Sequence, residues 1–477
     1  MEFNAKASTH CDVAVVGGGP AGLRAAEVAA LGGARVMVFE QKPSVGRKFL
    51  VAGKGGLNLT HDASVEAFAA NYSISGKAPA EAQTWWRSLL TEFDSAALQG
   101  WAGNLGIETF TATSGRVYPK EMKSAPLLRR WVARLRGLGV EFWMRHRWVG
   151  LQLGKRLVLE FEAAEKNGAR HRVEAGAAVL ALGGASWPDT GSTGLWTEAL
   201  KALGVEVSSL VASNCGWECH WSADVLERCE GHPLKNVRVS AGDASVRGEL
   251  MVTRYGLEGG ALYALGAALR SLPQPSLSID FKPDSTAESL RSRLGSARRN
   301  FLSEASARWR LGPVVSSLLD GLLRETPPDS ADAMARAVKH CVIRLEKARP
   351  VAEAISTAGG LCFDELDETL MVRRCPGLFA AGEMLAWDAP TGGYLLQGCF
   401  STGTRAGDSA WRWALGVGRL TLRRFVLSGG GHAGVQSKKN PALGRAGLTQ
   451  ATKALDQALK EITAGVSAQS TEMHSPE

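Results

Sequence analysis

Asp12-Val13-Ala14-Val15-Val16-Gly17-Gly18-Gly19-Pro20-Ala21-Gly22 is the stretch that decides the fold. Residues 12–16 read as a short buried strand, an apolar run that stops at glycines as parallel strands covered on both faces do. Residues 23–31 are alanine-rich and helical in pattern, and Gly32-Gly33 ends them, because glycine readily adopts the left-handed cap conformation. Residues 35–39 form the next strand. Strand, glycine turn, helix and strand in succession predict a βαβ unit.

Inside the turn, Gly17-x-Gly19-x-x-Gly22 has the spacing that dinucleotide sites require. Such glycines permit a tight turn, close backbone approach to a pyrophosphate, and close packing of helix on strand. The helix entered through Pro20-Ala21 turns its N terminus, with free N–H groups and the positive dipole end, toward the phosphates. Alone this pattern is common, but here Glu40 stands at the end of the second strand, where a carboxylate accepts both ribose hydroxyls of an adenosine. An acid at that position argues against a 2′-phosphate. A glycine turn with no ligand leaves Glu40 and the Pro20-Ala21 pair without a purpose.

Outward from this unit, residues 80–138 read as mostly helical, with Trp85, Trp86, Leu89, Leu90 and Phe93 spaced as a core stripe. Strand patterns follow at 140–149 and 157–161, and a second buried strand at 177–182 ends at Gly183-Gly184. Between 208 and 349 the pattern changes to short strands at 236–240, 245–252 and 276–281, then helices at 288–309 and 331–347. Strands resume at 370–372 and 378–380, followed by a glycine-rich loop and a last helix near 403–415. The expected fold is α/β: a Rossmann-like dinucleotide-binding domain in two parts, 1–207 and 351–427, interrupted by an inserted mixed β and helical domain at 208–350. Residues 428–477 shift to a polar composition, with Gly429-Gly430-Gly431 at the boundary and a helical pattern at 448–463, and read as a flexible tail.

A chain of 477 residues is too long for one core. Its 45% apolar and 21% charged residues are those of a globular protein. No leader pattern opens the sequence and no apolar run approaches the ~20 residues of a membrane span, so a cytoplasmic location is expected. Eight cysteines are scattered; Cys215, Cys219, His220 and Cys229 cluster too loosely for a zinc site, so reduced thiols and no metal are expected. A net charge of +8 suits an anionic partner, whether RNA, a phosphorylated substrate or a dinucleotide. Nothing in the sequence sets an oligomeric state.

Further segments carry a resemblance. Gly46-Arg47-Lys48-Phe49-Leu50, then Gly53-Lys54-Gly55-Gly56-Leu57-Asn58-Leu59-Thr60, resembles the loop after the second strand in the BaiN/RdsA-like family of bacterial NAD(P)/FAD-dependent flavoproteins. Gly115-Arg116-Val117-Tyr118-Pro119, Ala181-Leu182-Gly183-Gly184-Ala185-Ser186-Trp187-Pro188 and Thr190-Gly191-Ser192-Thr193-Gly194 continue it. So do Thr253-Arg254-Tyr255-Gly256-Leu257-Glu258-Gly259-Gly260, Gly359-Gly360, Gly377-Leu378-Phe379-Ala380-Ala381-Gly382-Glu383 and Gly392-Gly393-Tyr394-Leu395-Leu396-Gln397. The resemblance spans about residues 10–415, and it implies non-covalent FAD as cofactor with NAD(P)H as a transient co-substrate. Alongside Gly17, Gly19, Pro20, Ala21, Gly22 and Glu40, it implies cofactor contacts at Gln41, Arg47, Lys48, Asn58, Thr60, Val149, Gly183, Gly184, Gly382, Glu383, Gly393 and Gln397.

This sequence departs from the family at Lys54 to Leu57, where an arginine and a cysteine are usual, in Gly393-Tyr394-Leu395-Leu396, which lacks the usual asparagine, and at Cys399, where a small apolar residue is usual. It reads as a divergent subgroup whose substrate does not transfer with the family. The resemblance implies a reductase in which NAD(P)H reduces FAD and a hydride then passes to an electron-poor substrate. A proton donor must complete the addition, and Tyr118, Cys399 and His61 are the candidates, against plain readings as a packed tyrosine, a buried thiol and a loop histidine. Two substrates are implied: a conjugated C=C of a small molecule, or a uracil of ribosomal RNA reduced to dihydrouridine. For RNA the sequence offers Arg291, Arg293, Arg298, Arg299, Arg308 and Arg310, read as one helical stretch. A flavin-bound redox sensor or scaffold, or an oxygen-using monooxygenase or amine oxidase, stays open because fold does not fix chemistry.

Overall fold

The computed structural model describes residues 9–163, 169–295, 297 and 299–417. Its first strand, Thr9–Val16, runs parallel to Val36–Glu40 on one side, with Val13 opposite Val36, and to Ala169–Leu180 on the other, with Val13 opposite Ala177. Both faces are covered, so Cys11 and residues 13–15 are fully buried. In spatial order the sheet reads Glu141–Met144, Val36–Glu40, Thr9–Val16, Ala169–Leu180, Leu157–Ala163 and His146–Gln152. The long strand Ala169–Leu180 serves two environments. Its first part pairs antiparallel with Leu157–Ala163 and alternates between more and less exposed residues; its last part pairs parallel with Leu378–Ala380 and is buried throughout.

The helix Pro20–Leu31 packs along the last helix, Tyr394–Leu415. Gly403 and Gly407, one turn apart, make the approach feasible, since a Cβ on either would lie 2.4 Å from Ala21 O or 2.5 Å from Ala25 O. This seam holds the late part of the chain against the glycine turn.

Val207–Ser213 pairs antiparallel with Ser356–Leu361, and the chain between them builds a separate sheet. Its order is Trp217–Glu218, Gly256–Glu258, Ala244–Thr253, Pro233–Ala241, Ser276–Asp280 and Cys341–Arg344. Four helices, Ala287–Leu294, Phe301–Arg308, Pro313–Leu322 and Ala331–Lys339, cover an apolar cluster of its own around Val239, Leu277 and Trp309.

Several local expectations need correction. Residues 80–138 contain a hairpin, Thr109–Thr111 with Arg116–Pro119, between helices Pro79–Glu92, Ser95–Asn104 and Ser124–Gly137. The helix expected at 288–309 is two helices, broken before Asn300, whose φ is +52°. The one expected at 331–347 stops at Lys339, because residues 341–344 alternate between buried and exposed as an edge strand does. Residues 370–372 make isolated bridges rather than a strand. The last helix starts at Tyr394, so residues 394–397 are its first turn and not part of a loop. The expected tail, with its helical pattern at 448–463, lies outside the described residues.

Candidate functional site

The three glycines of the first turn have separate tasks. Gly17 has φ +106°, and a Cβ there would lie 2.2 Å from Ala181 O, so the turn is pressed against the neighbouring strand. A Cβ on Gly22 would lie 2.0 Å from Gly17 O, which makes Gly22 the residue that lets the helix close on the turn. Around Gly19 a Cβ would meet nothing within 4 Å, so its open side faces space that a ligand can take.

Glu40 reaches back to this turn. Its Oε2 accepts from the Gly18 N–H at 2.9 Å, and its Oε1 accepts from the Lys42 N–H at 2.8 Å. Burial holds its carboxyl above the usual range, against the pull of those two N–H donors.

A cavity of about 350 Å³ opens between the turn and the late part of the chain. At one side stand the residues of the turn, Glu40 and Gln41; at another stand Lys48, Gly382, Glu383 and Cys399. Lys48 Nζ lies 2.7 Å from Glu383 Oε2 and also donates to Ser186 Oγ. The second Glu383 oxygen, Oε1, accepts from the Thr357 N–H at 2.9 Å. Thr357 Oγ1 in turn accepts from the N–H groups of Ala185 at 2.9 Å and Ser186 at 3.2 Å. A closed polar network therefore fixes one wall. Burial pushes the Cys399 thiol up to about 12, so it stays protonated at neutral pH.

Across residues 11–409 the sequence matches the HI0933-like protein Rossmann domain. The chain belongs to this HI0933-like family. It is 26% identical over 429 residues to the 3-dehydro-bile acid delta(4,6)-reductase of Clostridium scindens, a comparison that covers 83% of this chain and 98% of that enzyme. The resemblance read from the sequence is thereby borne out. Among solved structures, the 3-ketosteroid-delta4-(5alpha)-dehydrogenase of Rhodococcus jostii RHA1 is similar at 17% identity and a TM-score of 0.47, covering 86% of this chain and 98% of that one. The 3-ketosteroid delta1-dehydrogenase of Sterolibacterium denitrificans is similar at 15% identity and a TM-score of 0.45, covering 86% and 100%.

This HI0933-like protein is an FAD-dependent oxidoreductase on a Rossmann-type FAD-binding fold. Its residues fit the cofactor: Gly19 leaves open space, and two groups on the cavity wall, Arg47 Nε and Ser192 Oγ, are buried with no hydrogen-bond partner among the described residues.

Of the residues expected to hold the cofactor, Gly17, Gly19, Pro20, Ala21, Glu40, Gln41, Arg47, Lys48, Val149, Gly183, Gly382 and Glu383 line the cavity. Gly22 packs beneath it. Gly184 makes room for Thr357, whose Oγ1 would lie 2.4 Å from a Cβ there. Thr60, Gly393 and Gln397 come together elsewhere: Thr60 Oγ1 donates to Gln397 Oε1 at 2.7 Å, Gln397 Nε2 donates to Phe93 O at 2.7 Å, and Gly393 at φ +98° abuts Thr60. This buried lock ties the start of the last helix to the short strand Thr60–His61 that follows Asn58, whose Oδ1 is buried without a partner among the described residues.

Of the three candidate proton donors, Cys399 lines the cavity. His61 lies with Nε2 3.1 Å from Ser114 O and its ring stacked on Tyr394, and Tyr118 stacks on Phe110. Sequence reading missed Ser186, Ser192, Trp196, His146 and Thr357. The two serines sit inside motifs already recognised by their glycines; Thr357 and His146 carry no local signal. The six arginines do not share one helix. Arg291 lies 3.7 Å from Asp332, Arg293 donates to Arg308 O, Arg308 pairs with Glu304, and Arg298 lies outside the described residues. Among the described residues no three His, Cys, Asp or Glu side chains converge as a metal site, and no helix is long and apolar enough to cross a membrane.

Proposed function

We propose that this protein is a reductase that moves a hydride from NAD(P)H, by way of FAD, to a conjugated carbon–carbon double bond of a small molecule. The observation that carries the reading is the match along 98% of a reductase of 3-dehydro bile acids. The cavity supports it, because the glycine turn and the Lys48–Glu383 wall bound one continuous space.

FAD held between the glycine turn and the Lys48–Glu383 wall would supply the hydride-transfer chemistry between NAD(P)H and the substrate carbon. The chain's own residues do the rest. The turn's free N–H groups and the N terminus of Pro20–Leu31 bind the pyrophosphate. Glu40 accepts the ribose hydroxyls, exchanging its present bonds from Gly18 and Lys42 for them in part. Lys48, held by Glu383 and Ser186, places a positive charge at the cavity wall, where it stabilises negative charge that builds up during reduction. Cys399, protonated and on the same wall, supplies the proton to the carbon that receives no hydride, so that hydride and proton together complete one H₂ addition. All eight cysteines are unpaired, which suits the reducing cytoplasm.

The reading is tested by reducing the protein anaerobically with NADH and with NADPH, then mixing it with small enones and with uracil-containing ribosomal RNA. Reoxidation by an enone with a saturated product supports it. Reoxidation by RNA alone, with dihydrouridine formed, would replace it.

A further inference from the structure

Ser192 is only 7% exposed, lines the cavity, and its Oγ has no hydrogen-bond partner among the described residues. A buried hydroxyl left in that condition costs free energy that a bound acceptor recovers. Its surroundings say which acceptor.

Thr190 ends the single turn Pro188–Thr190, and residues 190–193 line the cavity between two banks. On one bank, at the end of strand Ala169–Leu180, a Cβ on Gly183 would lie 2.9 Å from Ser192 Oγ, and the Trp196 indole N–H donates to Gly183 O at 2.8 Å. On the other bank, at the end of strand Val36–Glu40, Gln41 Nε2 donates to Gly191 O, and a Cβ on Gly191 would lie 3.5 Å from Glu40 Oε1. Between the banks lies the glycine turn. The segment therefore touches the end of the cavity marked by Glu40, the carboxylate read above as the acceptor for the ribose hydroxyls of an adenosine.

We propose that residues 190–193 are a strap over the adenylate half of the dinucleotide, that Ser192 Oγ donates to a phosphate or ribose oxygen of that half, and that Gln41 is the clasp holding the strap shut. The inference rests on the flavin reading above. It assigns to Ser192 a binding role and to the Gln41–Gly191 bond control over how fast the cofactor leaves.

The test is titration of the flavin-free full-length protein with FAD, ADP and FMN, the last of which lacks the adenylate. Ser192→Ala weakens FAD and ADP binding roughly tenfold, the worth of one lost hydrogen bond, and leaves FMN binding unchanged. Gln41→Ala speeds FAD release from the loaded protein and leaves FMN release unchanged. Wild-type affinity of Ser192→Ala for FAD and ADP overturns the inference alone, as does equal weakening of all three ligands at an unchanged melting temperature. If Ser192→Ala does not fold, wild-type FAD release from Gln41→Ala overturns it. Wild-type protein that takes up neither FAD nor ADP overturns the flavin reading and this inference with it.

Discussion

Lys48 Nζ and Glu383 Oε2 meet at 2.7 Å across 335 residues of sequence, joining the helix Arg47–Ala52 to the turn after strand Leu378–Ala380. Both side chains are largely buried, at 26% and 14% exposure, so the pair is screened less than a surface ion pair. Glu383 also serves Thr357 and Lys48 also serves Ser186, so removal of either charge strands its partner.

Glu383→Gln and Lys48→Met should each lower stability by about 1–3 kcal/mol, since each leaves a half-buried charge without its counterpart. The double variant should lose less than the sum. Thermal or urea unfolding of the four proteins measures the coupling, and strictly additive losses would show that the pair does no joint work.

Gly19→Ala and Gly22→Ala separate binding from folding. In Gly22→Ala the added methyl would meet Gly17 O, so that variant should lose stability, by about 1–3 kcal/mol for overpacking. A methyl at position 19 meets no protein atom and φ there is −80°, so Gly19→Ala should fold with a near-normal melting temperature yet hold FAD at least tenfold more weakly. FAD retention measured beside melting temperature checks the pair; normal retention by Gly19→Ala would remove that glycine from the site.

Much of this was readable from the sequence, for a physical reason. A βαβ dinucleotide turn is local: strand, glycines, helix and acid fall within about thirty residues, and each leaves its own pattern. Gly183-Gly184 and Gly382-Glu383 were readable by their motifs. The parts that were not legible depend on distant chain segments. Nothing near Lys48 shows that Glu383 and Ser186 complete it, and nothing near Gln41 shows that it reaches Gly191. Gln397 carries the family pattern, but its partners Thr60 and Phe93 lie in the fold's interior. The arginine run misled because helical composition hides a break, and the break before Asn300 divides the run between two helices.

Glu40 gives a pH signature. Its folded-state value is raised by burial above its unfolded value of about 4.3, so the folded, flavin-free protein binds this proton more tightly than the unfolded chain. Stability from this group is full below the unfolded value and is lost as pH rises through the folded one. In Glu40→Gln that fall should be absent from the melting-temperature profile. FAD affinity should drop about 10- to 100-fold in the variant at neutral pH, and wild-type affinity should decline on acidification through the same window. Parallel profiles for the two proteins would show that Glu40 titrates as it does in the unfolded chain.

Cys399 divides the two half-reactions. With its thiol pushed up to about 12, it should resist alkylation at neutral pH in the native protein. Cys399→Ala should leave flavin reduction by NAD(P)H within about threefold of wild type and slow the second stage by roughly 10²-fold or more, as loss of a general acid does. Stopped-flow measurement of each stage decides this; an unchanged second stage would return the proton to another donor.

The central claim is tested most directly by the visible spectrum of the purified protein before and after anaerobic addition of NADH or NADPH. The account predicts a yellow protein whose flavin absorbance bleaches rapidly with one of the two. A protein that is colourless, and still colourless after FAD is supplied, would contradict it.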